Sequence, residues 1–189
     1  MRVIAGQYRS RPLTAPRGWR TRPTSDRLRE TLFNILAPRI ASARFADLYA
    51  GTGAVGIEAL SRGAAHVWFA EKAAPAVAAI RANLNALSIV TGYTLEARGA
   101  VPLLEQLTRT GEPLDIVFLD PPWEAAAEYA ATLGLLGSDR AGTLLAPGAL
   151  IVAEHSSRTP LADQYGLLAQ TRTLTQGDAA LTFYAPSAD

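Results

Sequence analysis

The chain has no cysteine among its 189 residues. Disulfides, thiolate zinc sites and cysteine nucleophiles are thereby excluded, and the composition fits a cytoplasmic protein. Histidine is nearly missing too. The only two, His66 and His155, are too few for most zinc sites and read better as strand-end polar residues, so no metal is expected. No apolar run approaches the ~18 residues of a membrane span. The N-terminus passes from Arg2 to Gly6, Gln7, Tyr8 and Arg9 with no apolar segment of the kind a signal peptide carries. No membrane partner is expected. Lysine is reduced to Lys72, so arginine carries the positive charge.

What is present is a globular composition, with 49% apolar residues in a length suited to one sizeable core. The net charge of +1 conceals a division. Residues 1–44 hold ten arginines against Asp26 and Glu30, a balance of +8, and the remainder holds eight basic and fifteen acidic groups, a balance of −7. A basic arm, 1–44, precedes a mildly acidic body, 45–189, within the same fold. Such asymmetry points to a polyanion partner. The alternative is a solvated arginine-rich face encouraged by a genome that prefers arginine to lysine.

Residues 1–13 alternate basic and apolar groups about Gly6, as two short strands or a ribbon would. Pro12, Pro16, Gly18 and Pro23 then break the chain. Thr24, Ser25 and Asp26 are N-cap candidates, and Leu28, Leu32, Ile35 and Leu36 follow at helical spacing, so a helix is expected over 26–36. Pro38 ends it. From Phe45 the pattern is strand, tight turn, helix, repeated. Strands are expected at 45–49, 66–70, 93–97, 116–119 and 149–154, and helices at 54–61, 75–87, 101–108 and 124–136. Gly177-Asp178 lies between 167–174 and 181–184 and reads as a closing hairpin. This alternation predicts an α/β fold with a mainly parallel sheet covered on both faces. Ligands in such sheets bind beyond the carboxyl ends of the strands.

Two stretches carry chemistry. Ile116-Val117-Phe118-Leu119 runs directly into Asp120-Pro121-Pro122-Trp123. Neither proline can donate a backbone hydrogen bond, and each fixes its own φ near −65°. The strand therefore ends on a stiff rim bearing a carboxylate, carbonyls without ladder partners, and an indole. Such a rim suits a planar group with an amine; a Pro-Pro loop with a packed aromatic is the plainer alternative. The second stretch, Gly51-Thr52-Gly53-Ala54-Val55-Gly56, is a G-x-G-x-x-G turn between a strand and a helix, whose glycines let the backbone turn tightly and let a ligand approach the main chain. Asp47 before the turn would oppose a pyrophosphate and suit a cationic cofactor, or else cap the turn. Glu71, ending the next strand, can accept two ribose hydroxyls, in nicotinamide enzymes as well.

Taken together, these residues resemble the bacterial 16S rRNA guanine-N2 methyltransferase family. Residues 47–63, from Asp47-Leu48-Tyr49-Ala50-Gly51-Thr52-Gly53 to Arg62-Gly63, are similar to its cofactor motif. Asp120-Pro121-Pro122-Trp123 is similar to its catalytic motif, although Phe or Tyr is more usual at the last place. Residues 22–36, Arg22-Pro23-Thr24-Ser25-Asp26-Arg27 and onward, are similar to its N-terminal signature, as is the opening Ile4-Ala5-Gly6-Gln7-Tyr8-Arg9. The resemblance implies one Rossmann-like class I methyltransferase domain, with a mainly parallel seven-stranded sheet, a C-terminal antiparallel hairpin and a small basic N-terminal extension. It implies S-adenosylmethionine held by Asp47, Tyr49, Gly51, Thr52, Gly53, Glu71, Lys72, Gly99, Ala100 and Thr24. It implies catalysis by Asp120, Pro121, Pro122 and Trp123. The RNA would be gripped by Arg9, Arg11, Arg17, Arg20 and Arg22, with Arg27 facing the site from the helix. The expected partner is 16S rRNA within a small-subunit particle, and the expected state a monomer. The chain departs from the family at Arg98-Gly99-Ala100, where a polar side chain usually reaches the adenine; here the contact is left to backbone N–H or to Arg98.

Three other readings stand beside this one. An amine methyltransferase acting on DNA adenine or protein glutamine would use the same rim. An NAD-dependent oxidoreductase would need a hydride-site acid or base, which the sequence does not offer. A non-catalytic RNA-binding module would leave Asp120 without a task.

Overall fold

The computed structural model describes residues 1–15 and 25–187. They form two compact units, Met1–Gly99 and Ala100–Asp189.

The first unit is built on three parallel strands, β1 (Arg44–Leu48), β2 (His66–Ala70) and β3 (Tyr93–Glu96), with β2 central. Leu48 pairs with Ala70, and Ala70 with Glu96. All three strands therefore end on one rim, and the residues that follow them (Tyr49, Glu71 and Ala97) start there together. Helices α1 (Asp26–Leu36), α2 (Ala54–Ser61) and α3 (Ala74–Ala86) complete the unit. Ser25 caps α1 by accepting from Leu28 N–H at 3.1 Å, and the helix buries Leu28, Leu32, Phe33 and Leu36. Gly56 in α2 is dictated by packing, because a Cβ there would lie 2.2 Å from the Phe69 ring of β2.

The first thirteen residues form the expected ribbon. Arg2 and Pro12 make an antiparallel bridge, Val3 N–H donates to Arg11 C=O at 3.0 Å, and Ser10 N–H to Val3 C=O at 2.9 Å. The ribbon is not a free arm. Glu58 on α2, fully buried, accepts from Ile4 N–H at 2.7 Å, Ala5 N–H at 3.0 Å and Arg62 Nε at 2.7 Å. Ser61 accepts from Tyr8 N–H through its Oγ and from Gln7 N–H through its carbonyl. Gly6, at φ +80°, lies so close that a Cβ would stand 1.8 Å from the Ser61 oxygen.

The second unit holds β4 (Leu114–Leu119), β5 (Leu145–Ser156), β6 (Gln164–Tyr165), β7 (Leu168–Gln176) and β8 (Ala179–Pro186). Beside them lie α4 (Ala100–Thr110), α5 (Ala126–Leu136) and a 3-10 turn, Asp139–Thr143. β4 and β5 are parallel, whereas β5–β8, β8–β7 and β7–β6 are antiparallel. The hairpin turns at Gly177, whose φ of +64° suits a residue without a Cβ.

The described residues thus form eight strands against the seven expected, the addition being the two-residue β6, too short to show a periodicity. β5 begins at Leu145 rather than Ala149. Its pairing with β4 jumps from Leu114–Leu145 to Ile116–Leu150, so Pro147 and Gly148 form a bulge inside the strand. A Pro-Gly pair reads as a strand boundary in sequence because the partner that tolerates the bulge is distant in the chain. No helix among the described residues is long and apolar enough to cross a membrane.

Candidate functional site

The residues singled out above fall into one group per unit. In the first unit they line the rim where the three strands end. After Leu48 the chain turns through left-handed backbone at Tyr49 (φ +63°), Gly51 (φ +57°) and Gly53 (φ +77°). A non-glycine residue in that region stores roughly 1–3 kcal/mol, held by the surrounding structure. Here Ala50 N–H donates to Ala70 C=O at 3.0 Å and Gly53 N–H to Ala50 C=O at 2.7 Å, so the turn is closed on both sides. No atom lies within 4 Å of a Cβ built on Gly51. The main chain there is open to a ligand.

Two carboxylates shape the turn. Asp47 is 1% exposed, and its Oδ2 accepts from Gly56 N–H at 2.8 Å. Burial pushes its pKa up to about 8; the Gly56 hydrogen bond opposes this and the charge of Glu71 adds to it. The structure thus gives Asp47 the capping role weighed above, beneath the turn at the start of α2. Glu71 is half-buried, and each oxygen receives one backbone donor: Oε2 from Gly51 N–H at 2.9 Å, Oε1 from Ala73 N–H at 2.8 Å. A carboxylate oxygen has room for a second donor, so Glu71 is oriented and still able to accept.

Thr52 is buried, Lys72 exposed, and Gly99 buried at φ +105°, with its Cβ position 3.7 Å from Lys72 Cβ. Arg98, the alternative contact at this position, is committed elsewhere. Its Nε and Nη2 grip Glu96 at 2.9 and 2.7 Å, and its N–H donates to the same carboxylate at 2.8 Å. These hydrogen bonds hold Glu96 below its ordinary pKa. The backbone N–H groups of this segment and Arg98, as held by this ion pair, are the two options for the adenine.

Asn83 was not anticipated. It is 2% exposed on α3, and its Nδ2 donates to Thr52 C=O and Thr14 C=O, both at 3.0 Å, while its Oδ1 accepts from Thr14 N–H at 2.9 Å. It joins the glycine turn to the chain that leaves the ribbon. The signal existed: Asn83 interrupts the apolar face of Val77, Ile80, Leu84 and Leu87, as Glu58 interrupts an otherwise apolar α2.

Of the arginines assigned to RNA, Arg9, Arg11 and Arg27 are exposed, and Arg11 Nη2 donates to Ala86 C=O at 3.1 Å. Arg17, Arg20, Arg22 and the cofactor candidate Thr24 lie outside the described residues. Arg29 is fully buried, its Nη2 donating to Arg2 C=O and to Asp26 at 2.9 Å. Its charge serves the interior and not a surface partner.

The second group lies at the carboxyl end of β4. Ala100 is buried at the start of α4. Asp120 is half-buried, Pro121 buried, Pro122 exposed and Trp123 half-exposed; the indole is not part of the hydrophobic core. Pro122 C=O accepts from Ala125 N–H at 2.8 Å, which turns the chain into α5. Pro121 C=O lies 3.2 Å from the hydroxyl of Tyr129. The Pro121 and Pro122 carbonyls are both held by donors from the following segment.

The histidines behave as strand-end residues. His66 Nε2 lies 3.0 Å from Thr94 Oγ1, and His155 Nε2 lies 2.7 Å from Thr182 Oγ1. Among the described residues no cluster of three or more His, Cys, Asp or Glu could hold a metal ion.

Comparison with known proteins places this geometry among relatives. The family model described as Conserved hypothetical protein 95 matches residues 1–185. A Bacillus subtilis (strain 168) protein named "Putative rRNA methyltransferase YlbH" is 34% identical over 184 residues, 97% of this chain and 98% of its own. Ribosomal RNA small subunit methyltransferase D of Escherichia coli (strain K12) is 41% identical over 123 residues, 65% of this chain and 60% of its own. Among solved structures, "Putative methyltransferase yhhF" from Escherichia coli superposes with a TM-score of 0.84 at 34% identity, covering 100% of this chain and 99% of that one.

Proposed function

From a chain that belongs to the Conserved hypothetical protein 95 family, we propose an enzyme that methylates the exocyclic N2 amine of a guanine in 16S rRNA, with S-adenosylmethionine as donor. It would act in the cytoplasm, as a monomer, on a small-subunit particle. The observation that carries this reading is the Asp120–Trp123 rim, in a chain similar over 97% of its length to a protein named as an rRNA methyltransferase.

The first unit fits the cofactor. The open face of Gly51 admits a ligand to the main chain, and Glu71, aimed by two backbone donors, suits a pair of vicinal hydroxyls. Tyr49, Thr52, Gly53, Lys72, Gly99 and Ala100, with Thr24, would complete the holding set, and Asp47 would keep the turn in shape from below. When bound, S-adenosylmethionine supplies an electrophilic methyl group on a sulfonium.

The chain's own contribution is positional. The guanine amine is a poor nucleophile because its lone pair is delocalised into the ring. Asp120 and the Pro121 carbonyl accept its two hydrogens, favour a more tetrahedral nitrogen and aim the lone pair. With the donor bound, Asp120 would also be the group through which the proton lost from the methylated amine passes to water. Trp123 stacks on the extruded base, worth about 1–3 kcal/mol against an unstacking cost of a few kcal/mol. Arg9, Arg11 and Arg27, with Arg17, Arg20 and Arg22, neutralise phosphates.

The test is transfer of tritiated methyl from S-adenosylmethionine to small-subunit particles and to naked 16S rRNA, followed by mapping of the modified base. Label on a guanine N2 is expected. Label on adenine, or on protein, would replace this reading with the broader amine methyltransferase. Asp120→Ala is expected to abolish transfer and to leave cofactor affinity within a few-fold; undiminished turnover would remove the catalytic assignment.

A further inference from the structure

The Asp-Pro-Pro-Trp rim has an unusual shortage of donors. Pro121 and Pro122 have no N–H, so neither can fix the rim by donating, and their carbonyls accept from donors elsewhere in the chain. For Pro122 the donor is Ala125 N–H, at 2.8 Å. For Pro121 it is the hydroxyl of Tyr129, at 3.2 Å. Tyr129 is the fourth residue of α5 and is 3% exposed. The same hydroxyl lies 2.8 Å from the carbonyl of Glu154 on β5. One phenol proton thus serves two carbonyl oxygens, and the phenol oxygen is the point where the rim, α5 and β5 are joined. A carbonyl oxygen has two lone pairs; the hydroxyl engages one side of Pro121 and leaves the other for an incoming hydrogen.

Building on the function proposed above, we propose that Tyr129 is a positioning residue for methyl transfer: it fixes the Pro121 carbonyl where that carbonyl receives a hydrogen of the substrate amine. Tyr129 touches neither donor nor base and acts only through Pro121. Nothing in the sequence pattern marks it, since an aromatic on the buried face of a helix reads as core.

The test is Tyr129→Phe, which keeps the ring and removes the hydroxyl, assayed on small-subunit particles at saturating S-adenosylmethionine. At least a tenfold fall in kcat is expected, with the S-adenosylmethionine Kd from calorimetry unchanged within twofold and the melting curve still cooperative. Replacement by 4-aminophenylalanine, which offers one N–H to each carbonyl, is expected to return kcat to within threefold of the parent. If the phenylalanine chain does not fold, 4-methylphenylalanine fills the hydroxyl's space without a donor and is expected to be equally slow. A parental kcat in either donorless chain overturns the role, as does a 4-aminophenylalanine chain no faster than the phenylalanine one. So does a kcat loss matched by an equal loss of cofactor affinity. A parental chain that transfers no methyl group removes the proposed function and this role with it, whereas an active parent indifferent to Tyr129→Phe removes the role alone.

Discussion

Asp47 burdens the native state in a pH-dependent way. Its carboxyl titrates at about 8 in the folded chain against an ordinary value of 3.8, with burial as the main cause. Between those values the folded chain binds more protons than the unfolded one, so stability falls as pH rises through this window, by at most about 1.4 kcal/mol per pH unit. Asp47→Asn keeps an oxygen for Gly56 N–H and removes the titration. Denaturant unfolding at pH 5, 7 and 9 is expected to show the parent losing stability relative to the variant as pH rises; curves that stay parallel would contradict this account. Asn83 makes a different demand. Asn83→Leu leaves the Thr14 N–H and the Thr14 and Thr52 carbonyls without the partner they have now. A loss of about 1–3 kcal/mol is expected for such an unsatisfied buried group, read as a lower melting temperature.

The N-terminal ribbon shows how an element can be essential without a core of its own. It buries Val3 and Leu13 and is tied down mainly through backbone groups received by Glu58 and Ser61, with Arg29 donating to the Arg2 carbonyl and Arg11 to that of Ala86. Glu58→Ala removes three hydrogen bonds at once and strands Arg62, whose guanidinium also lies 5.0 Å from the Phe33 ring. Breaking a buried charge pair costs about 3–5 kcal/mol. Trypsin is therefore expected to cut after Arg9 far faster in Glu58→Ala than in the parent, and equal rates would refute the clamp. Elements with local punctuation were legible in advance. Ser25 and Pro38 bracket α1, Gly53 and Gly63 bracket α2, and both helices, like β2, have the expected bounds. β5 was half legible, because its bulge is permitted by β4 and not by anything near Pro147.

For the molecule as a whole, the division of charge survives in amended form: the basic segment loses Arg29 to the interior and keeps Arg9, Arg11 and Arg27 at the surface. Under the proposed function, RNA affinity should fall with salt by roughly 0.7 log units per log unit of salt for each phosphate neutralised on single strands. Arg9→Gln with Arg11→Gln is then expected to flatten that slope by about 1.4. An unchanged slope would release both residues from the interface.

The starts of α1 and α2, the glycine turn, the proline-stopped strand and the uneven charge were readable from residue order, because each rests on backbone geometry or valence that a residue brings with it wherever it lies. Folding decided which polar groups are spent. Asp47 became a buried cap, Arg98 a partner of Glu96, Arg29 an internal cation, and Tyr129 a hub between two carbonyls, since such pairings join residues up to dozens of positions apart and follow from desolvation and distance, which a linear order does not contain.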